Sequence, residues 1–101
     1  MKRYHDSLIQ SLKNPAEATE YLNAALEEGN EKMFLVALRN VAEARGGMSR
    51  LSYEAKLNRA NLYKIFSKNG NPEIQTLSNI LNLFGLRLAV ASKSKGSLRA
   101  A

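Results

Sequence analysis

Apolar residues recur at helical spacing through the first half of the chain. Asn14 followed by Pro15 is a typical helix start, because asparagine caps the first free N–H groups and proline fits the first helical position. The apolar spacing predicts one helix over 15–28 and a second over 31–45, which Asn30 can cap. We also expect a short helical turn over 8–12 that packs beside the first helix.

The pattern shortens after the Gly46-Gly47 pair. Two brief helices are predicted over 48–55 and 58–66, and a third over 73–84 follows a loop rich in Asn and Gly. Beyond that helix, apolar residues alternate with others, which predicts a short strand over 86–91.

These elements predict one all-α domain of five helices over 1–91, with a helical extension at 1–29, a core at 31–84 and a C-terminal strand. The stretch 92–101 has few apolar residues to hold it, so we expect a mobile tail. A length of 101 residues is typical of a single domain.

The frame 48–67 fits a helix-turn-helix unit. Ser52 is the small residue where the two helices would cross, Lys56 occupies the turn position that favours positive φ, and Asn58 can cap the second helix. The frame also has apolar residues where its helices must contact each other and the rest of the domain: Leu51, Ala55, Leu57, Leu62 and Ile65.

The outward face of the second helix is suited to reading the major groove of DNA, since Arg pairs with guanine, Asn with adenine and Ala with the thymine methyl. The candidate base-reading residues are Arg59, Ala60, Asn61, Tyr63 and Lys64. The candidate phosphate contacts flank them: Ser49, Arg50, Asn58, Lys68, Asn69 and Asn71. The alternative is an ordinary solvated face of a helical bundle, with Tyr63 packed at the domain edge.

Charge is distributed unevenly along the chain, whose net charge is +6. Residues 1–30 carry three basic and five acidic side chains, whereas residues 46–70 carry five basic and one acidic. A basic segment around the helix-turn-helix favours nucleic acid, because affinity for DNA comes largely from neutralised phosphates. The acidic first third predicts a second surface with a different partner.

Several classes of protein are disfavoured. The chain has no Cys and one His, His5, which we expect to be a solvated surface residue, so thiol, triad and metal chemistry are not expected. No apolar run is long enough to span a membrane, and the charged start is unlike a signal peptide. We therefore expect a non-enzymatic, cytoplasmic and nucleoid-associated protein without cofactors.

Several motifs together resemble the addiction-module antidote proteins, which carry a helix-turn-helix of the Cro/phage-repressor (XRE) type. The similar segments are residues 18–29 (ATEYLNAALEEG), 37–48 (ALRNVAEARGGM), 48–52 (MSRLS), 61–64 (NLYK), 70–72 (GNP), 76–77 (TL) and 83–88 (LFGLRL). Departures are Ser52 for Ala, Lys56 for Gly and Arg50 for Gln. The resemblance implies an antitoxin that binds a small RelE/ParE-like toxin and, as a dimer, represses its own operon.

Candidate surfaces for a toxin and for a second copy of the chain can also be named from the sequence. The acidic candidates for contact with a basic toxin are Glu17, Glu20, Glu27 and Glu28, although helix 15–28 can also serve only to complete the core. The candidate residues of a homodimer are Leu83, Leu86, Leu88 and Val90, on the last helix and the predicted strand, which can instead pair within the chain or with a toxin. The alternatives in function are a stand-alone prophage-type regulator without a toxin and an interaction module that binds no DNA.

Overall fold

The computed structural model describes residues 2–67 and 69–93. Within these ranges each residue lies either in a helix or in an irregular segment. The six helices are α1 (Lys2–Ser11), α2 (Pro15–Glu27), α3 (Glu31–Ala44), α4 (Gly47–Ala55), α5 (Arg59–Ile65) and α6 (Ile74–Leu83). The all-α class is confirmed, but the predicted count of five helices is wrong.

The additional helix is α1, which the sequence suggested only as a turn. Leu8 and Ile9 are half-buried on one side of it, and Leu12 is buried just beyond its end. The helix packs on α3, and His5 Nε2 lies 3.2 Å from Glu43 Oε1 on that helix. The first turns of α1 are polar and have no apolar pattern that would predict a helix. Its full length therefore depends on the contact with α3.

Asparagine caps set the starts of α2 and α3, as the sequence predicts. Asn14 Oδ1 accepts a hydrogen bond from the N–H of Ala16 at 2.8 Å, and Asn30 Oδ1 accepts one from the N–H of Lys32 at 3.0 Å. Each bond satisfies a backbone donor that has no partner inside the helix.

The core is aliphatic and centred on α3, which packs against α1, α2 and α4. Leu38 and Val41 of α3 are completely buried. Leu26 of α2 and Met33 of α3 follow the apolar spacing that predicts these helices, but they are 51% and 47% exposed. The stripe of α2 is therefore wider than the surface that the core covers.

The predicted strand over 86–91 is absent from the part of the chain that the structure describes. Gly85 turns the chain with a φ of +79°, and the N–H of Leu86 donates to the carbonyl of Leu81 at 2.9 Å. Leu86 rests on the core, while Val90 is 98% exposed. Alternating apolar residues make a strand only when a neighbouring strand takes their hydrogen bonds, and none of the described segments supplies one. Of the predicted tail, residues 94–101 lie outside the described residues.

Candidate nucleic-acid interface

A three-residue turn, residues 56–58, joins α4 to α5. Lys56 has φ 59° and ψ 40°, the left-handed conformation expected at this position. The hydroxyl of Ser52 donates to the carbonyl of Leu57, whose N–H donates to the carbonyl of Ser52 at 3.1 Å. Asn58 Oδ1 accepts from the N–H of Asn61 at 2.7 Å and caps α5. The turn is therefore fixed by its own side chains.

The inner faces of α4 and α5 are apolar and hold the pair against the domain. Leu51 and Leu62 are buried at 3% and 0% exposure, and Ala55, Leu57 and Ile65 are partly buried against the same core. These are the residues assigned to this contact from the sequence. Because this face is packed, the opposite face of α5 is turned to solvent.

The solvent face of α5 carries the predicted base-reading residues. Arg59, Ala60, Asn61 and Lys64 are exposed, and Tyr63 is 40% exposed. The seven-residue helix thus presents two cations and an amide to solvent. These are side-chain types that form hydrogen bonds with base edges in the major groove.

The predicted phosphate contacts lie before and after these residues in the chain. They differ in whether their side chains already take part in an ion pair or a hydrogen bond. Arg50 Nε lies 3.1 Å from Glu54 Oε2 in an exposed i,i+4 ion pair, so its charge is partly offset. Asn58 already uses its side-chain oxygen as the cap of α5. Ser49, Asn69 and Asn71 are exposed, and Lys68 lies outside the described residues.

The loop after α5 is anchored by Gly70. Its N–H donates to the carbonyl of Ser67 at 2.9 Å, and a Cβ at this position would lie 1.9 Å from the carbonyl oxygen of Ile65. Only a residue without a side chain allows this approach. The contact holds the loop, with Asn69 and Asn71, beside the last turn of α5.

Arg39 of α3 joins this surface, although it lies outside the helix-turn-helix frame that the sequence indicates. Its guanidinium carbon lies 5.2 Å from the centre of the Tyr63 ring. The side chain is exposed. Arg39 is on a different helix from Tyr63 and far from it in the chain, so no local spacing indicates the contact.

A second surface lies on α2 and carries the predicted toxin contacts. Glu17, Glu20, Glu27 and Glu28 are all exposed, and within residues 2–67 and 69–93 no ion pair involves them. Beside them, a groove of about 690 Å³ runs between α2 and the segment after α6. Its lining includes Leu22, Leu26, Phe34, Leu81, Leu86 and Leu88.

The predicted dimer residues are only partly available at the surface. Leu83 and Leu88 are each 40% exposed and Val90 is almost fully exposed, whereas Leu86 packs on the core. No helix in the described residues is long and apolar enough to cross a membrane. The same residues contain no cluster of three or more His, Asp or Glu side chains that would bind a metal.

Comparison with known protein families shows to which family this chain belongs. The family model described as "probable addiction module antidote protein" matches residues 4–92. The chain belongs to this antidote family. An uncharacterized protein of Haemophilus influenzae is 35% identical over 83 residues, which covers 82% of this chain and 84% of that protein. No solved structure matches the chain.

Membership in the antidote family implies a toxin as a partner. The acidic side chains of α2 and the groove beside them lie on different elements from the basic surface of α5. The molecule thus has two chemically distinct surfaces.

Proposed function

We propose that this protein is the antitoxin of a toxin–antitoxin pair, and that it binds a small RelE/ParE-like toxin and represses its own operon. The observation that carries the DNA-binding half is the solvent-exposed surface of α5, where Arg59, Asn61 and Lys64 are exposed while Leu62 is buried. The family match supports the toxin-binding half.

In this proposal α5 is the recognition helix of an XRE-type helix-turn-helix and enters the major groove. Arg59 pairs with a guanine edge and Asn61 with an adenine, each bidentate contact being worth about 1–3 kcal/mol of discrimination. Lys64 lies one turn after Ala60 and reaches either a base or a phosphate. Residues 46–70 carry five basic side chains against one acidic, which supplies sequence-independent attraction to the phosphates.

Recognition of a full operator requires two copies of the chain, because one short helix reads few base pairs. Dimeric helix-turn-helix proteins read half-sites about 34 Å apart. The described chain measures 40 × 33 × 24 Å, so two copies fit side by side at that spacing. Leu83 and Val90, which do not line the α2 groove, supply exposed apolar surface for the contact between them.

Toxin binding is assigned to α2 and the groove beside it. Glu20 and Glu27 are separated by two helical turns and share one edge of α2, where they attract a basic partner and raise its association rate. Leu26 is 51% exposed and lines the groove next to that edge. A partner steered by the acids therefore also meets an apolar side chain.

The two halves are tested by separate assays on the full chain. In the first assay, the neighbouring gene is expressed in bacteria with and without this chain. Growth that is restored by the wild-type chain supports toxin neutralisation. A gel shift on DNA from upstream of its own gene, beside a shuffled duplex, tests repression. DNA binding without any neighbouring toxin gene would instead support the stand-alone regulator, and absence of both activities would reject the proposal.

A further inference from the structure

We infer that Arg39 of α3, which lies outside the helix-turn-helix, contacts a DNA phosphate and that the Tyr63 ring positions it for this contact. The inference rests on the proposed DNA-binding function. It also changes the role of Tyr63 from base reading to positioning. The deciding observation is the 5.2 Å separation between the Arg39 guanidinium carbon and the centre of the Tyr63 ring.

The contact itself shows on which side of α5 Tyr63 lies. A side chain that points from a recognition helix to the floor of the major groove is out of reach of the rest of the domain. Tyr63 is instead contacted by α3 and is 40% exposed, so its ring lies on the flank of α5 that faces the domain. Ala60 and Lys64 lie further round α5 from this contact and remain exposed for bases, and Arg59, one turn before Tyr63, is exposed at the start of the helix.

The dimensions of DNA then place Arg39 at a phosphate. The major groove is about 12 Å wide, and a helix with its side chains is about 10–12 Å across, so α5 fills the groove from wall to wall. A guanidinium that lies beyond a ring on the flank of α5 is therefore at the wall of the groove. That wall is the sugar–phosphate backbone, and its ligand for a guanidinium is a phosphate oxygen.

Arg39 is also chemically free for this contact. Arg50 is paired with Glu54, and Arg45 donates to the carbonyl of Phe84, but no ion pair or hydrogen bond of the Arg39 side chain occurs within residues 2–67 and 69–93. Attraction to the face of a ring does not use the N–H donors of the guanidinium. The ring restricts the long side chain and leaves its donors for a phosphate.

Salt dependence gives the contact a measurable size. Each phosphate neutralised contributes about 0.9 to the slope of log K against log salt for duplex DNA. Loss of one such contact weakens binding about fivefold at 0.15 M salt, and the lines of variant and wild type meet near 1 M. The effect is equal for every sequence, so a random 30-base-pair duplex is a sufficient probe.

The experiment measures binding of the full chain to that duplex by fluorescence anisotropy between about 0.05 and 0.5 M salt, the range in which the slope is linear. We expect Arg39→Gln to lower the slope by about 0.9 and Arg39→Lys to restore most of it. Lys13→Gln, which removes an equal charge from the exposed turn between α1 and α2, is the matched control and leaves the slope nearly unchanged.

Tyr63 variants separate positioning from base reading. Tyr63→Phe keeps the ring and is expected to bind as wild type, whereas Tyr63→Leu weakens binding in the wild-type background and has no further effect in Arg39→Gln. An unchanged slope in Arg39→Gln, or equal losses in Tyr63→Phe and Tyr63→Leu, would overturn the inference. If the wild-type chain binds no duplex at all, the proposed function fails instead. Circular dichroism confirms that each variant is folded.

Discussion

Replacement of Gly70 by alanine tests whether the loop after α5 is held as tightly as the structure indicates. The new Cβ would lie 1.9 Å from the carbonyl oxygen of Ile65 and 2.7 Å from its carbonyl carbon. Both atoms belong to the backbone of the last turn of α5, so no side-chain rotation relieves the overlap. Either the loop or the end of the helix must move.

Forced overpacking of this kind costs about 1–3 kcal/mol, and we take about 2 kcal/mol for a single methyl group against backbone. For a domain near 100 residues this lowers Tm by roughly 8–16 °C, as measured by circular dichroism. We also expect weaker DNA binding, because Asn69 and Asn71 are displaced with the loop.

Gly29→Asn is the control for this change. Gly29 has a φ of +72° and open space around its Cα, and asparagine tolerates that conformation. We expect it to lower Tm by no more than a few degrees. A change in free energy of 1 kcal/mol shifts the Tm of a domain this size by about 4–8 °C. A Tm for Gly70→Ala within about 2 °C of wild type would therefore refute the packing of the loop on α5.

Three further predictions concern the turn and the two surfaces. Arg59→Ala should cost about 1–3 kcal/mol on operator DNA and little on random DNA, and equal losses in a gel shift would show that Arg59 contacts phosphate only. Lys56→Gly should raise Tm by a few degrees, because it removes a left-handed strain of about 1 kcal/mol; an unchanged or lower Tm would show that the turn is relaxed. Reversing Glu20 and Glu27 to lysine should slow toxin association in surface plasmon resonance and leave operator binding intact, and a wild-type rate would remove the acidic edge from the interface.

Local rules predicted much of the helical framework. Asparagine caps at residues 14, 30 and 58 occur in the structure, since a cap needs only its own following N–H groups. Lys56 adopts positive φ as its place in the turn requires. The buried sides of α4 and α5 also follow from spacing within the chain.

Features that depend on distant residues were not predictable. The full length of α1 depends on contact with α3, and the strand over 86–91 fails because a strand needs a neighbour that no described segment provides. Arg39 reaches Tyr63 only through the packing of α3 near α5. Leu26 fits the apolar stripe of α2, but the core ends before it and leaves it in the groove.

Recognition of the operator of its own gene by the α5 face is tested most directly by a pair of anisotropy titrations at 0.15 M salt, a value near physiological ionic strength. One duplex carries the upstream sequence and the other carries the same bases shuffled. We expect a tighter Kd for the upstream duplex by about a thousandfold or more, the range of specific DNA-binding proteins. Equal Kd values for the two duplexes would contradict it.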